Sequence, residues 1–250
     1  MNTDEYLKLA ELEDRMWYFH SLHAHVEREL ARALPAARDA RVLDAGCGTG
    51  GLILRLRPAH PSWQWSGVDF SALACDLARQ RTQGDIREGS ITALPYDSGQ
   101  FDAVTSNDVV CQVDEPAAAL AEFYRVLRPG GVAIINVPAY RWLWSYHDDA
   151  VQTKHRFTRP ELRALLTAAG FRGMQLTHWN ALPFPLIVAK RKLFRRKSDT
   201  SDVKLFPLPV EWAFRGVMAA EHAWLQLGGR WAWGSSVFAV ARRPLAENKI

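Results

Sequence analysis

Val42-Leu43-Asp44-Ala45-Gly46-Cys47-Gly48-Thr49-Gly50 is the stretch that decides the fold of this chain. A short apolar run meets the turn Gly46-x-Gly48-x-Gly50-Gly51, and helix-forming residues continue to Leu56. Glycine lets the backbone turn sharply and approach a ligand, while free N–H groups at a helix start attract negative charge. Asp69 ends a second strand-like run about 20 residues on, where a carboxylate can accept both hydroxyls of a ribose. Gly46, Gly48 and Gly51 also satisfy the G-x-G-x-x-G pattern of dinucleotide sites, so the glycine spacing leaves two kinds of cofactor open. Asp44 is a poor neighbour for a pyrophosphate and a good one for an ammonium or sulfonium group.

Outward from this turn, strands alternate with helices. Residues 4–34 carry Leu9, Leu12, Met16, Phe19, Leu22, Val26 and Leu30 at helical spacing and predict one or two amphipathic helices ending before Pro35. Strands are expected at 41–44, 63–69, 101–106, 132–137, 173–179 and 235–242, with a weaker one at 86–88. Between them, helices are expected at 71–80 with Ser71 as N-cap, at 116–127, and from Thr158 to Ala169 with Gly170 closing the last. Arg128-Pro129-Gly130-Gly131 reads as a stop before the fifth strand. Such alternation predicts a mainly parallel sheet with helices on both faces. The expected organisation is N-terminal cap helices at 1–36, a Rossmann-like core at 37–180 and 235–243, and a helical lid insertion at 181–234.

The 250 residues can bury a full core, and 48 % hydrophobic with 23 % charged residues suits a soluble globular protein. No apolar run approaches the roughly 18 residues of a membrane span. Met-Asn-Thr-Asp-Glu-Tyr lacks a signal-peptide pattern, and three cysteines (Cys47, Cys75, Cys111) have no metal-ligand spacing. A cytoplasmic location without a bound metal is therefore expected. The net charge of +4 collects in Lys190, Arg191, Lys192, Arg195, Arg196 and Lys197, which argues against a broad nucleic-acid face.

Two later blocks bear on the cofactor: Leu94-Pro95-Tyr96-Asp97-Ser98-Gly99-Gln100-Phe101-Asp102-Ala103-Val104, then Arg125-Val126-Leu127-Arg128-Pro129-Gly130-Gly131. With the glycine turn, this series resembles class I S-adenosylmethionine-dependent methyltransferases, especially the bacterial type 11 and 12 group. The resemblance implies a Rossmann-like, seven-stranded, mostly parallel α/β sheet whose last strand is antiparallel. It also implies S-adenosyl-L-methionine as cofactor. Asp44, Gly46, Cys47 and Gly48 would then lie against the methionine part, Asp69 on the ribose and Phe70 beside the adenine. Ser90 and Ile91 stand where the family often has Asp-Ala and would meet the adenine edge. Asn107 would face the methionine amino group, and Gln112 stands in place of a family histidine.

Glu13-Asp14-Arg15-Met16-Trp17-Tyr18-Phe19 resembles the Glu-x-x-His-Trp-Trp-Phe-x-x-Arg signature of one subgroup, whose aromatic helix caps the cofactor. Trp17 and Tyr18 are thus cofactor candidates, since aromatic faces attract a sulfonium; their plain structural reading is core packing. The signature's arginine falls at Leu22, with His23 beside it as a substitute. Residues 143–158 resemble the same subgroup, with Gln152 and Thr153 in place of its histidines. His147 and His155 are candidate general bases, with surface or structural histidines as the bland reading. Tyr18, Trp144, His147, Arg156 and Asn180 are candidate substrate contacts.

Residues 183–197 form a basic, apolar helix candidate. Such a stretch can rest weakly on a membrane through 186–197, attract an anionic substrate, or serve as a lid with a solvated charged face. Residues 198–209 read as mobile, and 211–227, with Trp212, Phe214, Met218, Trp224 and Leu225, as a second cap helix. These features predict methylation of a small, apolar or aromatic acceptor, on O or N before C, in bacterial secondary metabolism. A peripheral-membrane lipid or quinone methyltransferase and a non-catalytic cofactor-binding protein are the alternatives.

Overall fold

The computed structural model of the chain describes residues 3–34, 39–193 and 201–246. Its centre is a seven-stranded sheet of order β3-β2-β1-β4-β5-β7-β6. The strands are β1 (Arg41–Ala45), β2 (Gln64–Asp69), β3 (Asp85–Glu88), β4 (Phe101–Asn107), β5 (Leu127–Pro138), β6 (Arg172–Trp179) and β7 (Ser236–Arg242). The four pairs among β3, β2, β1, β4 and β5 are all parallel, and β7 runs antiparallel to both neighbours.

Alternate residues feed two cores. Leu43, Val104, Ala133 and Ile135 face one cluster with α5 (Pro116–Val126) and α7 (Arg159–Ala168). Val42, Ala103, Val132 and Ile134 face the other, with α2 (Trp17–Ala33), α3 (Gly51–Leu56), α4 (Ala72–Thr82) and α9 (Leu208–Gln226). This period of two is what places helices on both faces. The local signals behave as their chemistry requires. Ser71 Oγ accepts from Ala74 N–H at 3.3 Å, and Thr158 and Glu161 form a capping box at the start of α7.

The N-terminal region is two helices, α1 (Thr3–Leu12) and α2. Arg128-Pro129-Gly130-Gly131 is not a break before the fifth strand but its irregular beginning. Phe101 pairs with Leu127 and Ala103 with Val132, so the extra residues bulge between them. Gly130 takes φ +82° there, and its N–H donates to Arg243 O at 3.0 Å.

The insertion contributes α8 (Phe184–Leu193) and α9; Arg195, Arg196 and Lys197 lie outside the described residues. α9 packs along α2, with Met218 buried between them, while Trp212 and Trp224 face solvent at 70 % and 48 % exposure. Those two tryptophans of the second cap helix therefore point to solvent, while Met218 and Phe214 turn inward. Residues 201–207, read from sequence as mobile, are tied down. Ser201 donates from N–H and hydroxyl to Glu5 on α1, and Phe206 N–H donates to Glu211 at 2.9 Å. A short helix, α6 (Tyr146–Ala150), follows β5. Among the described residues, no helix is long and apolar enough to cross a membrane.

Candidate active site

β1 is flanked by β2 on one side and β4 on the other, so the strand order reverses between β1 and β4 and leaves a crevice at their carboxyl ends. A cavity of about 1320 Å³ opens there, bounded by the glycine turn, α1, the start of α2, the segment after β5, and α8. Sites for one small ligand measure about 300–1,000 Å³, so this volume has room for a cofactor and an acceptor together.

Gly46 and Gly48 sit at φ +84° and +52°, and a Cβ on Gly46 would overlap the Val109 side chain. Gly46 and Cys47 N–H both donate to Val68 O, at 2.8 and 2.9 Å, which pins the turn to β2. Burial, with the Asp44 and Asp69 charges, pushes the Cys47 thiol far up, so it is an inert wall. Beneath the turn, Glu13 accepts from the Thr49 hydroxyl and from Arg81, whose Nη2 also reaches Asp14 at 2.7 Å. Glu13 thus clamps the N-terminal helices to the glycine turn. Its partner lies 68 positions on in the chain, beyond the reach of any local sequence pattern.

Asp44 is buried and accepts from Thr105 Oγ1 at 2.8 Å. Burial, and then the Glu13 and Asp69 carboxylates, raise its pKa to about 7 against the lowering Thr105 hydrogen bond, and a cation beside it would favour the charged form. Asp69 Oδ2 accepts from Gly48 N–H at 2.9 Å; its Oδ1 accepts from Ser71 N–H at 3.0 Å and from Tyr6 Oη at 3.2 Å. Phe70 stands next to it, 82 % exposed along the cavity wall. Ser90, Ile91 and Gln112 line the same space, and the Ser90 hydroxyl lies 2.7 Å from that of Thr92. Asn107 Oδ1 is buried without a partner on this wall, an acceptor left open.

Trp17 and Tyr18 line the cavity. Trp17 stacks on Phe214 with ring centroids 4.7 Å apart, and Tyr18 Oη donates to Asp108 Oδ2 at 2.7 Å. Asp108 is a residue that sequence reasoning passed over. It sits at φ +58°, accepts from Asn136 Nδ2 at 2.9 Å, and burial raises its pKa to about 6. Its position directly after Asn107, at the carboxyl end of β4, was the available signal. His23 also faces the cavity, but burial, then Arg55, drives its pKa down to about 3. It is uncharged at neutral pH and does not replace the positive charge of the subgroup's arginine.

At the far end the sequence expectations divide. Arg156 lines the cavity but its fork is spent inside the protein. Nε and Nη2 donate to Asp148 at 2.7 and 3.1 Å, and Nη1 to Ala139 O at 2.7 Å. His147 Nδ1 accepts from Asp202 N–H at 3.0 Å, and burial, with Arg191, lowers its pKa to about 4. It is a neutral, engaged ring and a weak base at pH 7. His155 and Trp144 do not reach the cavity. His155 N–H donates to Cys111 O at 3.0 Å and its ring lies beside Phe157, while Trp144 Nε1 donates to Asp149 at 2.9 Å. Asn180 does line it, at φ +58°, with Nδ2 donating to Ser235 Oγ at 2.7 Å and Oδ1 buried without a partner.

Known proteins resemble this chain in sequence and in fold. Residues 43–135 match the family described as methyltransferase domain. The chain is 34 % identical over 178 residues to the malonyl-[acyl-carrier protein] O-methyltransferase of Enterobacter lignolyticus, covering 65 % of this chain and 67 % of that protein. It is 27 % identical over 203 residues to the demethylmenaquinone methyltransferase of Lactiplantibacillus plantarum, covering 67 % and 86 % respectively. The structure of geranyl diphosphate C-methyltransferase from Streptomyces coelicolor, solved with Mg²⁺, geranyl diphosphate and S-adenosyl-L-homocysteine, has a TM-score of 0.59 at 19 % identity. That match covers 90 % of this chain and 80 % of the other, and it speaks to the fold.

Proposed function

The chain belongs to the class I S-adenosylmethionine-dependent methyltransferases, and on that premise we propose that it methylates a small acceptor with an apolar or aromatic body, on oxygen or nitrogen. The observation that carries the reading is the single cavity that runs from Asp69 through Tyr18 and Asp108 to α8. Cofactor and acceptor would share it, which is the requirement for direct transfer between two bound molecules.

The residues present fit the cofactor. Gly46 and Gly48 leave backbone room that a side chain would fill, Asn107 Oδ1 is an orphaned acceptor suited to an ammonium, and Asp69 offers carboxylate oxygens to a diol. When bound, S-adenosylmethionine supplies a methyl carbon already activated by a sulfonium. The chain's part is then to align an acceptor atom and exclude water. Trp17, Tyr18 and Phe214 form an aromatic wall for the apolar body, and Asp108 is the group placed to take a proton from a hydroxyl or ammonium acceptor. Its raised pKa of about 6 suits that task better than that of His147. The proposed organisation keeps 1–36 as a cap and 181–234 as an acceptor-side insertion on the 37–180 and 235–243 core.

The test is mass spectrometry after incubation with methyl-deuterated S-adenosylmethionine and a panel of phenols, carboxylic acids and amines. A labelled methyl on one class supports the reading, and Asp108→Asn should lower its rate. No labelled product across the panel, with the cofactor bound, favours a non-catalytic binding protein.

A lipid or quinone acceptor at a membrane is the second reading. Leu186 on α8 is 64 % exposed, and Lys192 Nζ lies 5.8 Å from the centre of the half-exposed Trp142 ring, an apolar edge next to a cation. Co-sedimentation with anionic and neutral vesicles, wild type against Leu186→Asp, decides it; equal weak binding removes the idea.

A further inference from the structure

Pro183 and, on α8 just after it, Leu186, Ile187, Lys190 and Arg191 turn one stripe of side chains to the cavity, spaced three and four apart. The stripe is apolar for its first half and basic for its second, and Val203 and Phe206 also line the chamber. Three cations and two carboxylates meet at the basic end: Arg156, Lys190 and Arg191 with Asp148 and Asp202.

The two carboxylates are already taken. Asp148 holds Arg156 through both oxygens and also accepts from Ser145 N–H at 2.9 Å. Asp202 accepts from Lys190 and from the Tyr146 hydroxyl. Arg191 is the cation left over. Its side chain is 11 % exposed, it stands 3.9 Å from each carboxylate, its Nη1 reaches Leu143 O at 3.3 Å, and its Nε is buried without a partner. Three cations against two carboxylates leave one positive charge at this spot; burial, and then the Arg156 charge, lower the Arg191 pKa, while Asp148 and Asp202 oppose that shift. His147 is uncharged here and does not add to the balance.

We infer that the chamber takes an amphiphilic acceptor bearing one anionic group, a carboxylate or a phosphate monoester. Its apolar body lies along Leu186 and Ile187, and its anion sits on Arg191 with Lys190 beside it. A planar guanidinium with open donors matches either anion, which a single ammonium does less well. This rests on the methyltransferase reading of the same cavity and specifies its acceptor.

The test is calorimetric titration of the full chain, loaded with S-adenosyl-L-homocysteine, with decanoate, decyl phosphate, decanol and inorganic phosphate. Decanoate or decyl phosphate should bind at least about ten-fold more tightly than decanol, the effect of one charge-assisted contact. Inorganic phosphate, lacking the apolar body, should bind more weakly than decyl phosphate. In Arg191→Met the preference over decanol should vanish while decanol binding stays unchanged; Arg191→Lys should keep part of it. Equal binding of decanol and the anions, no binding of either anion, or a preference that survives Arg191→Met overturns the inference. Titration with S-adenosyl-L-homocysteine alone separates the two claims: normal cofactor heat with no anion preference refutes the anion site only, whereas absent cofactor heat refutes the methyltransferase reading of the cavity.

Discussion

Tyr6 on α1 donates its hydroxyl to Asp69 Oδ1 at 3.2 Å, so the first helix closes directly over the carboxylate assigned to the cofactor ribose. A ligand hydroxyl must displace that contact to reach the same oxygen. Tyr6→Phe removes the competitor, a net hydrogen bond worth about 0.5–1.5 kcal/mol. Cofactor affinity should therefore rise by about 2- to 10-fold in a calorimetric titration. A loss of affinity would mean that Tyr6 contacts the cofactor rather than competes with it.

Asp108 gives the pH dependence. Its pKa is raised from 3.8 to about 6, so the folded state holds its proton more tightly than the unfolded chain does. The sign follows: this carboxyl favours folding below pH 4, and that contribution fades as pH rises from about 4 through about 6, by up to about 3 kcal/mol. Asp108→Asn should flatten that slope in denaturant melts between pH 4 and 7. In the methyl-transfer assay, kcat/KM of the wild type should rise through pH 6 as the base loses its proton. Asp108→Asn should lose both that limb and about 10²-fold of rate. A wild-type profile flat from pH 5 to 8 would remove Asp108 from the proton path.

Gly46 tests the backbone requirement. Gly46→Ala places a Cβ in the Val109 side chain at φ +84°. Thermal and urea unfolding should show a loss of about 1–3 kcal/mol. The double variant Gly46→Ala with Val109→Ala should recover only the steric part, because the left-handed backbone strain stays. Full recovery would show that φ is not limiting.

Asp148 and Arg156 form an ion pair with side chains 1 % and 2 % exposed. Asp148→Asn leaves the Arg156 charge with weakened compensation and should destabilise the protein by about 3–5 kcal/mol in urea unfolding. A change under 1 kcal/mol would contradict the structural role assigned to Arg156.

The architecture was legible because its signals are local. The Val42–Leu43 strand with its glycine turn, the Ser71 cap and the Thr158–Glu161 box each act within a few residues. The glycine-turn end of the cavity was legible for the same reason, since Asp44, Gly46, Asp69 and Asn107 sit at strand ends that one edge of the sheet collects. The acceptor end was not. His155 and Arg156 are adjacent in sequence, yet the first turns away while the second is consumed by Asp148. Arg191 looked like one charge in a basic run; only the packing of α8 against Asp148 and Asp202 shows it facing inward. Glu13 and Tyr6 matter through Arg81 and Asp69, partners too distant in the chain for any spacing rule.

The most direct measurement is calorimetric titration of the wild type and of Asp69→Ala with S-adenosylmethionine. One site on the wild type and a loss of at least about 10-fold in Asp69→Ala are predicted, since hydrogen bonds to a charged group contribute about 1.5–3 kcal/mol. No heat with the wild type, or equal affinity in the two proteins, would contradict the account.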